Sequence, residues 1–208
     1  PERFFAMTRR DELHNVLAGI AEAQVAGFSP MKVNAVVERG ANDDEILDLV
    51  RYGRDNDVEV RFIEFMPFDG NKWDKEKMVS YAQVMEHVNS NYDESKVIRI
   101  QDAPNDTSKN YKIEGYKGSF AIISSVTNPF CDSCNRIRLT ANGRLKNCLF
   151  SSAESDLLTP LRDGKSIEPI IQKAVQSKLK VRGGMDTMEK LEQPDLHGKN
   201  RSMIAIGG

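Results

Sequence analysis

No run of apolar residues in this chain approaches the length of a membrane span, which excludes a helix embedded in a bilayer. No signal-peptide pattern opens it. The chain begins at Pro1 rather than Met, and Pro1 to Ala6 read as mid-chain sequence, so a piece of a longer protein is expected, with room for a targeting signal ahead of it. Charge of one sign is also missing. The formal net charge of −2 argues against a general nucleic-acid coat, and any anion site must come from local clustering. Cysteine is scarce: three residues, an odd number that cannot close into internal disulfides without a leftover thiol. All three fall between Cys131 and Cys148, and such crowding favours a metal over a disulfide framework. No internal repeat is present.

What is there suffices for one sizeable core and a second small subdomain. Thr8 and Asp11 resemble a capping box ahead of Leu13, Val16, Leu17 and Ile20 at helical spacing, with Gly27 as the stop. Met31 to Val37 reads as a strand. Asn42 caps a second helix with Ile46, Leu47, Leu49 and Val50 as its stripe and Gly53 at its end, and Val58 to Phe65 is the next strand. Helix, strand, helix, strand at this rhythm is α/β structure with parallel strands, and two such units are too few for a closed barrel. After Asp69 the pattern shortens: a helix over Ser80 to Val88, then strands at Val97 to Ile100, Tyr111 to Glu114 and Ser119 to Ser125, with Gly115 and Gly118 at a hairpin turn. Helices are expected near Ser155 and Ser166. Arg182 to Ser202 is polar and is expected to be mobile.

The chemistry concentrates in Phe130 to Phe150, FCDSCNRIRLTANGRLKNCLF. C-x2-C sets two thiols on one tight loop, and a hairpin turn at Asn142-Gly143 carries the chain back to the third. A two-residue loop would pair Leu139 with Lys146. A three-residue loop with Gly143 left-handed pairs Thr140 with Arg144 and Leu139 with Leu145. The second register gathers Ile137, Leu139, Leu145 and Leu149 on an apolar face and leaves Cys134, Arg136, Arg138 and Cys148 on the other. Because a one-residue slip would scramble both faces, the bulged turn is the expected one.

Three cysteines with no histidine beside them do not complete a tetrahedral zinc site, and His197, the one histidine downstream, lies in the polar tail. Three thiolates can hold an iron–sulfur cube with one iron open. On spacing alone both metals remain open. Arg136 and Arg138 could form an ordinary solvated strand face. Flanking a ligand cysteine, they are better read as an anion clamp, since planar guanidiniums bind phosphate oxygens in pairs.

At these residues the chain resembles the molybdenum cofactor biosynthesis protein A family, radical S-adenosylmethionine enzymes that act as GTP 3′,8-cyclases. MTRRDELHNVLAGI, MKVNAVV, VRFIEFMP, the cysteine–arginine segment and the terminal IGG carry the likeness over most of the sequence. The resemblance implies residues 1–70 as the C-terminal part of an incomplete (β/α) radical barrel, 71–181 as a small α+β region binding cluster and substrate, and 182–208 as a tail ending in Gly-Gly. It implies Cys131, Cys134 and Cys148 as ligands of a [4Fe-4S] cluster whose open iron meets GTP. Lys32, Arg61, Arg136, Ile137 and Arg138 would be GTP contacts and Met66 a contact to S-adenosylmethionine. Arg136, Arg138, Gly207 and Gly208 would serve catalysis. Each has a plainer alternative: Lys32 as a solvated strand end, Arg61 paired with Glu59 or Glu64, Met66 in core packing, the diglycine as a frayed end.

The departure is the family's first cluster motif, C-x3-C-x2-C, which does not occur in these residues. The resemblance therefore implies the substrate-binding half of a lyase that is inactive alone, with a second cluster elsewhere in the full-length enzyme. It implies cyclic pyranopterin monophosphate synthase as the enzyme acting next, room for a homodimer, and no nucleic-acid or membrane partner. The compartment would be the mitochondrial matrix in a eukaryote or the cytoplasm in a bacterium. A zinc-stabilised binding module and the auxiliary-cluster part of another radical enzyme are the competing readings.

Overall fold

The computed structural model describes residues 1–193, 196 and 200–206. The chain forms two compact units, one of Pro1–Phe65 with Lys77–Asn128, the other of Met66–Glu76 with the chain from Pro129 onward. The change in pattern after Asp69 thus falls in an excursion into the second unit, after which the chain returns to complete the first.

The first unit is built on five strands, β1 (Met31–Val37), β2 (Val58–Glu64), β3 (Val97–Arg99), β4 (Lys109–Ile113) and β5 (Ser119–Ile123), in the order β1-β2-β5-β4-β3. β1, β2 and β5 run parallel, while β4 and β3 are antiparallel additions. The expected parallel pair is present, in the register Met31 to Val58 and Val37 to Glu64, and the later strands join the same open sheet. Helices α1 (Glu2–Thr8), α2 (Leu13–Val25), α3 (Ile46–Asp55) and α4 (Tyr81–Asn89) belong to this unit. Period-two alternation sorts β2 cleanly: Val58, Val60 and Phe62 are buried, while Glu59 and Arg61 are half-buried on the other face. The buried set packs with Phe120 and Ile122 of β5, Ile46 and Val50 of α3, and Val84 and Val88 of α4.

Three local expectations are corrected. Thr8 does not cap α2: it closes α1, where its hydroxyl donates to the Phe4 carbonyl at 2.7 Å, and α2 begins after Glu12 without a side-chain cap. No residue of α2 is buried, so its apolar stripe does not contribute to this core. Asn42 precedes a short 3-10 turn and uses its amide backwards, accepting from the Glu38 N–H at 2.8 Å and donating to the Val36 carbonyl at 2.9 Å. α3 runs past Gly53 to Asp55. By contrast Ser80 and Gln83 form a complete capping box on α4.

The second unit holds a three-stranded antiparallel sheet, β6 (Arg138–Leu139), β7 (Arg144–Lys146) and β8 (Ser155–Asp156), with β7 in the middle. Ser155 therefore opens a strand, and the helix expected near it, α5, starts at Leu158 and ends at Arg162. α6 (Glu168–Gln176), α7 (Met188–Leu191) and α8 (Met203–Ile206) follow. Leu145, Leu157 and Ala174 form the buried centre, flanked by Ile167, Ile170 and Ile171, and Phe68 stacks on Phe150 with ring centroids 6.2 Å apart. Among the described residues no helix is long and apolar enough to cross a membrane.

Candidate metal and nucleotide site

The hairpin that carries the cysteines adopts the bulged register. Leu139 faces Leu145, Arg138 faces Lys146, and the Thr140 N–H donates to the Arg144 carbonyl at 2.9 Å. Gly143 takes φ 71°, the left-handed value the three-residue loop demands. Past Arg138 the ladder stops: Arg136 and Ile137 lie outside any strand, so the face expected to gather Arg136 with Cys148 is not formed by the sheet. The expected apolar face is also only partly real. Leu145 is buried under α6, but Ile137 and Leu139 are exposed: Ile137 precedes the edge strand β6, and among the described residues the buried centre of this unit does not cover Leu139.

Cys131 opens a short 3-10 turn, and the Cys134 N–H returns to the Cys131 carbonyl at 3.2 Å. Cys148 follows β7, and its carbonyl accepts from the Ser151 N–H at 3.2 Å. All three thiols are free and half-buried. Burial opposes a thiolate at Cys134, yet its pKa falls below the ordinary thiol value because the Arg136 N–H and the Lys178 ammonium both donate to it. The Lys178 Nζ lies 3.3 Å from the Cys134 Sγ. Burial pushes the Cys148 thiol up, the nearby Cys131 adds to this, and the N–H groups of Phe150 and Ser151 offset part of it. The Arg182 N–H donates to the Cys131 Sγ at 3.4 Å.

Among the described residues no three His, Cys, Asp or Glu side chains stand together as the shell of a metal ion. The fit to a metal centre therefore rests on the character of the donors. Three thiols lie on one hairpin, N–H groups approach each of the sulfurs, and the Lys178 ammonium favours the thiolate at Cys134. Those are the surroundings that tune an iron–sulfur centre.

The other predicted residues divide between the units. Arg136 is exposed, with its guanidinium 5.9 Å from the Phe130 ring centroid, and Arg138 is half-buried opposite Lys146. Arg61 makes an ion pair in which its Nε donates to Glu59 at 2.5 Å, and Lys32 sits exposed opposite Glu59 in the register. Lys32, Asn34, Glu59 and Arg61 thus make one face of a parallel pair polar, where parallel strands are ordinarily apolar on both faces. Met66 is half-buried just past β2, and its carbonyl accepts from the Asn71 amide at 2.6 Å. Gly207 and Gly208 lie outside the described residues, as does His197.

Four residues at the hairpin escape a reading of the sequence. Lys146 is buried, and its ammonium donates to the Ser151 carbonyl and to Asn200 Oδ1 at 2.7 Å. Asn200, also buried, donates to the Leu149 carbonyl at 3.0 Å. Register alone could have placed Lys146 opposite Arg138. Asn200, Lys178 and Arg182 reach the hairpin from more than forty residues away, and nothing local announces them.

Fold and site define a class: an α/β protein whose second unit presents a cysteine–arginine hairpin with thiols held among cationic and N–H donors. Comparison with known proteins gives the family. Residues 58–183 match the family model described as Molybdenum Cofactor Synthesis C, and the chain belongs to that family. It is 44% identical to the "GTP 3′,8-cyclase, mitochondrial" of Arabidopsis thaliana, over 100% of this chain and 52% of that protein. It is 41% identical to the GTP 3′,8-cyclase of a Listeria monocytogenes strain, over 85% of this chain and 53% of the other. To human "Molybdenum cofactor biosynthesis protein 1" it is 40% identical, over 99% of this chain and 31% of that protein. The chain thus spans about half the length of the two cyclases and about a third of the human protein.

Proposed function

We propose that this chain is the substrate-binding part of a GTP 3′,8-cyclase, which converts GTP to 3′,8-cyclo-7,8-dihydro-GTP with S-adenosylmethionine on the route to molybdenum cofactor. The observation that carries this is the hairpin: free Cys131, Cys134 and Cys148, with Arg136 and Arg138 between them, in a register that brings Arg138 beside the returning strand. The three cysteines would hold a [4Fe-4S] cluster. With three thiolate ligands such a cluster leaves one iron open, and when bound it supplies a Lewis-acidic contact for the guanine base.

The chain's own residues do the rest by binding. Arg136 and Arg138 grip triphosphate oxygens, with Ile137 between them, and binding energy gathered there orients base and ribose far from the reacting carbon. On the family resemblance Lys32 and Arg61 are further GTP contacts, and Met66 is a contact to S-adenosylmethionine. Gly207 and Gly208 are assigned to catalysis on the same resemblance. Radical initiation belongs to the part of the enzyme that carries C-x3-C-x2-C, so these 208 residues bind and orient without turning over. The product passes to cyclic pyranopterin monophosphate synthase. In a eukaryote the compartment would be the mitochondrial matrix, in keeping with the name of the Arabidopsis relative.

The test is anaerobic reconstitution followed by calorimetry with GTP. About four iron atoms per chain are expected. Arg136→Ala and Arg138→Ala should each weaken GTP binding by about 10- to 100-fold, the loss of a charge-assisted contact, with iron content unchanged. Zinc uptake in place of iron, or indifference to guanine nucleotides, would refute the reading.

A further inference from the structure

Lys178 is the residue whose surroundings ask for a role. It lies just past Ser177, the C-cap of α6, where a lysine ordinarily turns back to the last carbonyls of its own helix. Here the ammonium leaves the helix and spends its three protons on the cysteine loop: the Cys134 carbonyl at 3.1 Å, the Cys134 Sγ at 3.3 Å and the Arg136 carbonyl at 3.0 Å. These partners lie 42 and 44 residues earlier in the chain. An ordinary solvated lysine gains nothing from such a reach, since ordering a long side chain opposes it.

The segment around Lys178 reaches two of the candidate ligands directly and the neighbours of the third. Asn147, next to Cys148, donates to the Ala174 carbonyl at 2.8 Å and so fixes the end of α6. Lys178 reaches Cys134. The Arg182 N–H reaches the Cys131 sulfur at 3.4 Å. Gly183, at φ 63°, passes so close to the turn after Cys148 that an added Cβ would lie 2.9 Å from the Ser151 nitrogen. Residues 174–183 therefore form a wall against the cysteine hairpin; Lys180 pairs with Asp132 at 3.9 Å, and Lys178 is the lysine whose ammonium donates to a cysteine sulfur.

We infer that Lys178 is a positioning residue of the metal centre: its ammonium holds the Cys134–Arg136 loop and places a positive charge on a ligand sulfur, favouring the reduced cluster. This rests on the cluster reading above. Hydrogen bonds to sulfur and local charge set the potentials of iron–sulfur centres, and a cation on a thiolate stabilises the state with more negative charge. The same two carbonyl bonds fix the chain on which Arg136 sits.

The experiment compares the 208-residue chain with Lys178→Met and Lys178→Arg, each reconstituted anaerobically with iron and sulfide. Redox titration followed by electron paramagnetic resonance should show the reduced-to-oxidised ratio at a fixed potential falling about tenfold in Lys178→Met, equivalent to about 59 mV for one electron. Lys178→Arg should stay near the parent. Hydrogen exchange on the iron-free proteins should show residues 131–138 exchanging several-fold faster in Lys178→Met and near the parental rate in Lys178→Arg. Loss of iron by Lys178→Met with retention by Lys178→Arg also supports a charge requirement. Equal loss in both variants, or an unchanged potential in an iron-loaded Lys178→Met, overturns the inference while leaving the cluster standing. A parent chain that takes up no iron overturns the cluster reading and this inference together.

Discussion

Glu64 shows how much one buried carboxylate can organise. It ends β2, is 2% exposed, and one oxygen accepts from the Tyr81 N–H at 3.0 Å and from the Thr127 hydroxyl. The other accepts from the Val126 and Thr127 N–H groups at 2.7 and 2.9 Å. One side chain thus fastens the end of a parallel strand to the first turn of α4 and to the loop after β5. Glu64→Gln keeps the shape but replaces an acceptor with a donor, so at least one buried N–H or O–H must face an NH2 group. A loss of about 2–4 kcal/mol is expected, since an orphaned buried donor costs about 1–3 kcal/mol and a charged acceptor adds to that. Urea unfolding at neutral pH measures it, and a change within about 0.5 kcal/mol would place this carboxylate among unimportant surface positions. The sequence offered the motif RFIEFMP without offering this role. Cysteines and arginines advertise their chemistry by type and spacing, whereas Glu64, Lys178 and Asn200 act on partners that only the fold brings near.

At the scale of the element, the hairpin was the most legible part of the chain, because turn chemistry and alternation pointed the same way. The bulged loop, the left-handed glycine and the Leu139 to Leu145 pairing were readable from FCDSCNRIRLTANGRLKNCLF. What alternation could not give was the burial of both faces of β7. Leu145 enters the core under α6, and Lys146 is buried on the opposite side against Asn200. Burial pushes the Lys146 ammonium down, and its two oxygen partners make that burial tolerable. The turn can be tested directly. At Gly143 an added Cβ would lie 2.5 Å from the Leu158 Cβ, in a backbone conformation already costly for any other residue. Gly143→Ala should destabilise by about 2–5 kcal/mol, from about 1–2 kcal/mol of left-handed strain plus overpacking of about 1–3 kcal/mol. Gly164→Ala is the control, with the same φ of 71° and nothing within 4 Å. It should lose only the strain component, and equal losses in thermal unfolding would remove the steric argument.

For the whole molecule, period and rhythm identified parallel α/β structure but could not show that the strands beyond residue 77 return to the opening sheet, because strand order is set by contacts distant in sequence. Two cores in one chain also mean that acid can act on each unit through its own carboxylates. Asp102 is held below the ordinary range by the Arg99 guanidinium and by the Asn110 N–H and amide. For Asp106 burial opposes ionisation, but the Asn110 amide and the Ser108 and Thr107 donors outweigh it. In the second unit Asp156 is lowered by Thr159 and Leu158, and Asp186 by Lys190. For a group whose folded pKa is depressed, stability is present above the unfolded value and is lost as pH falls through the folded one. Stability should therefore be flat from about pH 7 to about pH 5 and decline below about pH 4. Asp102→Asn should lose about 1 kcal/mol at pH 7, a figure discounted because the Arg99 pair is partly solvated. The difference from the parent should shrink as pH falls through the lowered pKa of Asp102 and the native carboxylate takes up its proton. Urea titrations of both proteins at pH 7, 4 and 2.5 decide it. A gap that persists undiminished in acid would mean that Asp102 acts through shape and neutral hydrogen bonds rather than through its charge.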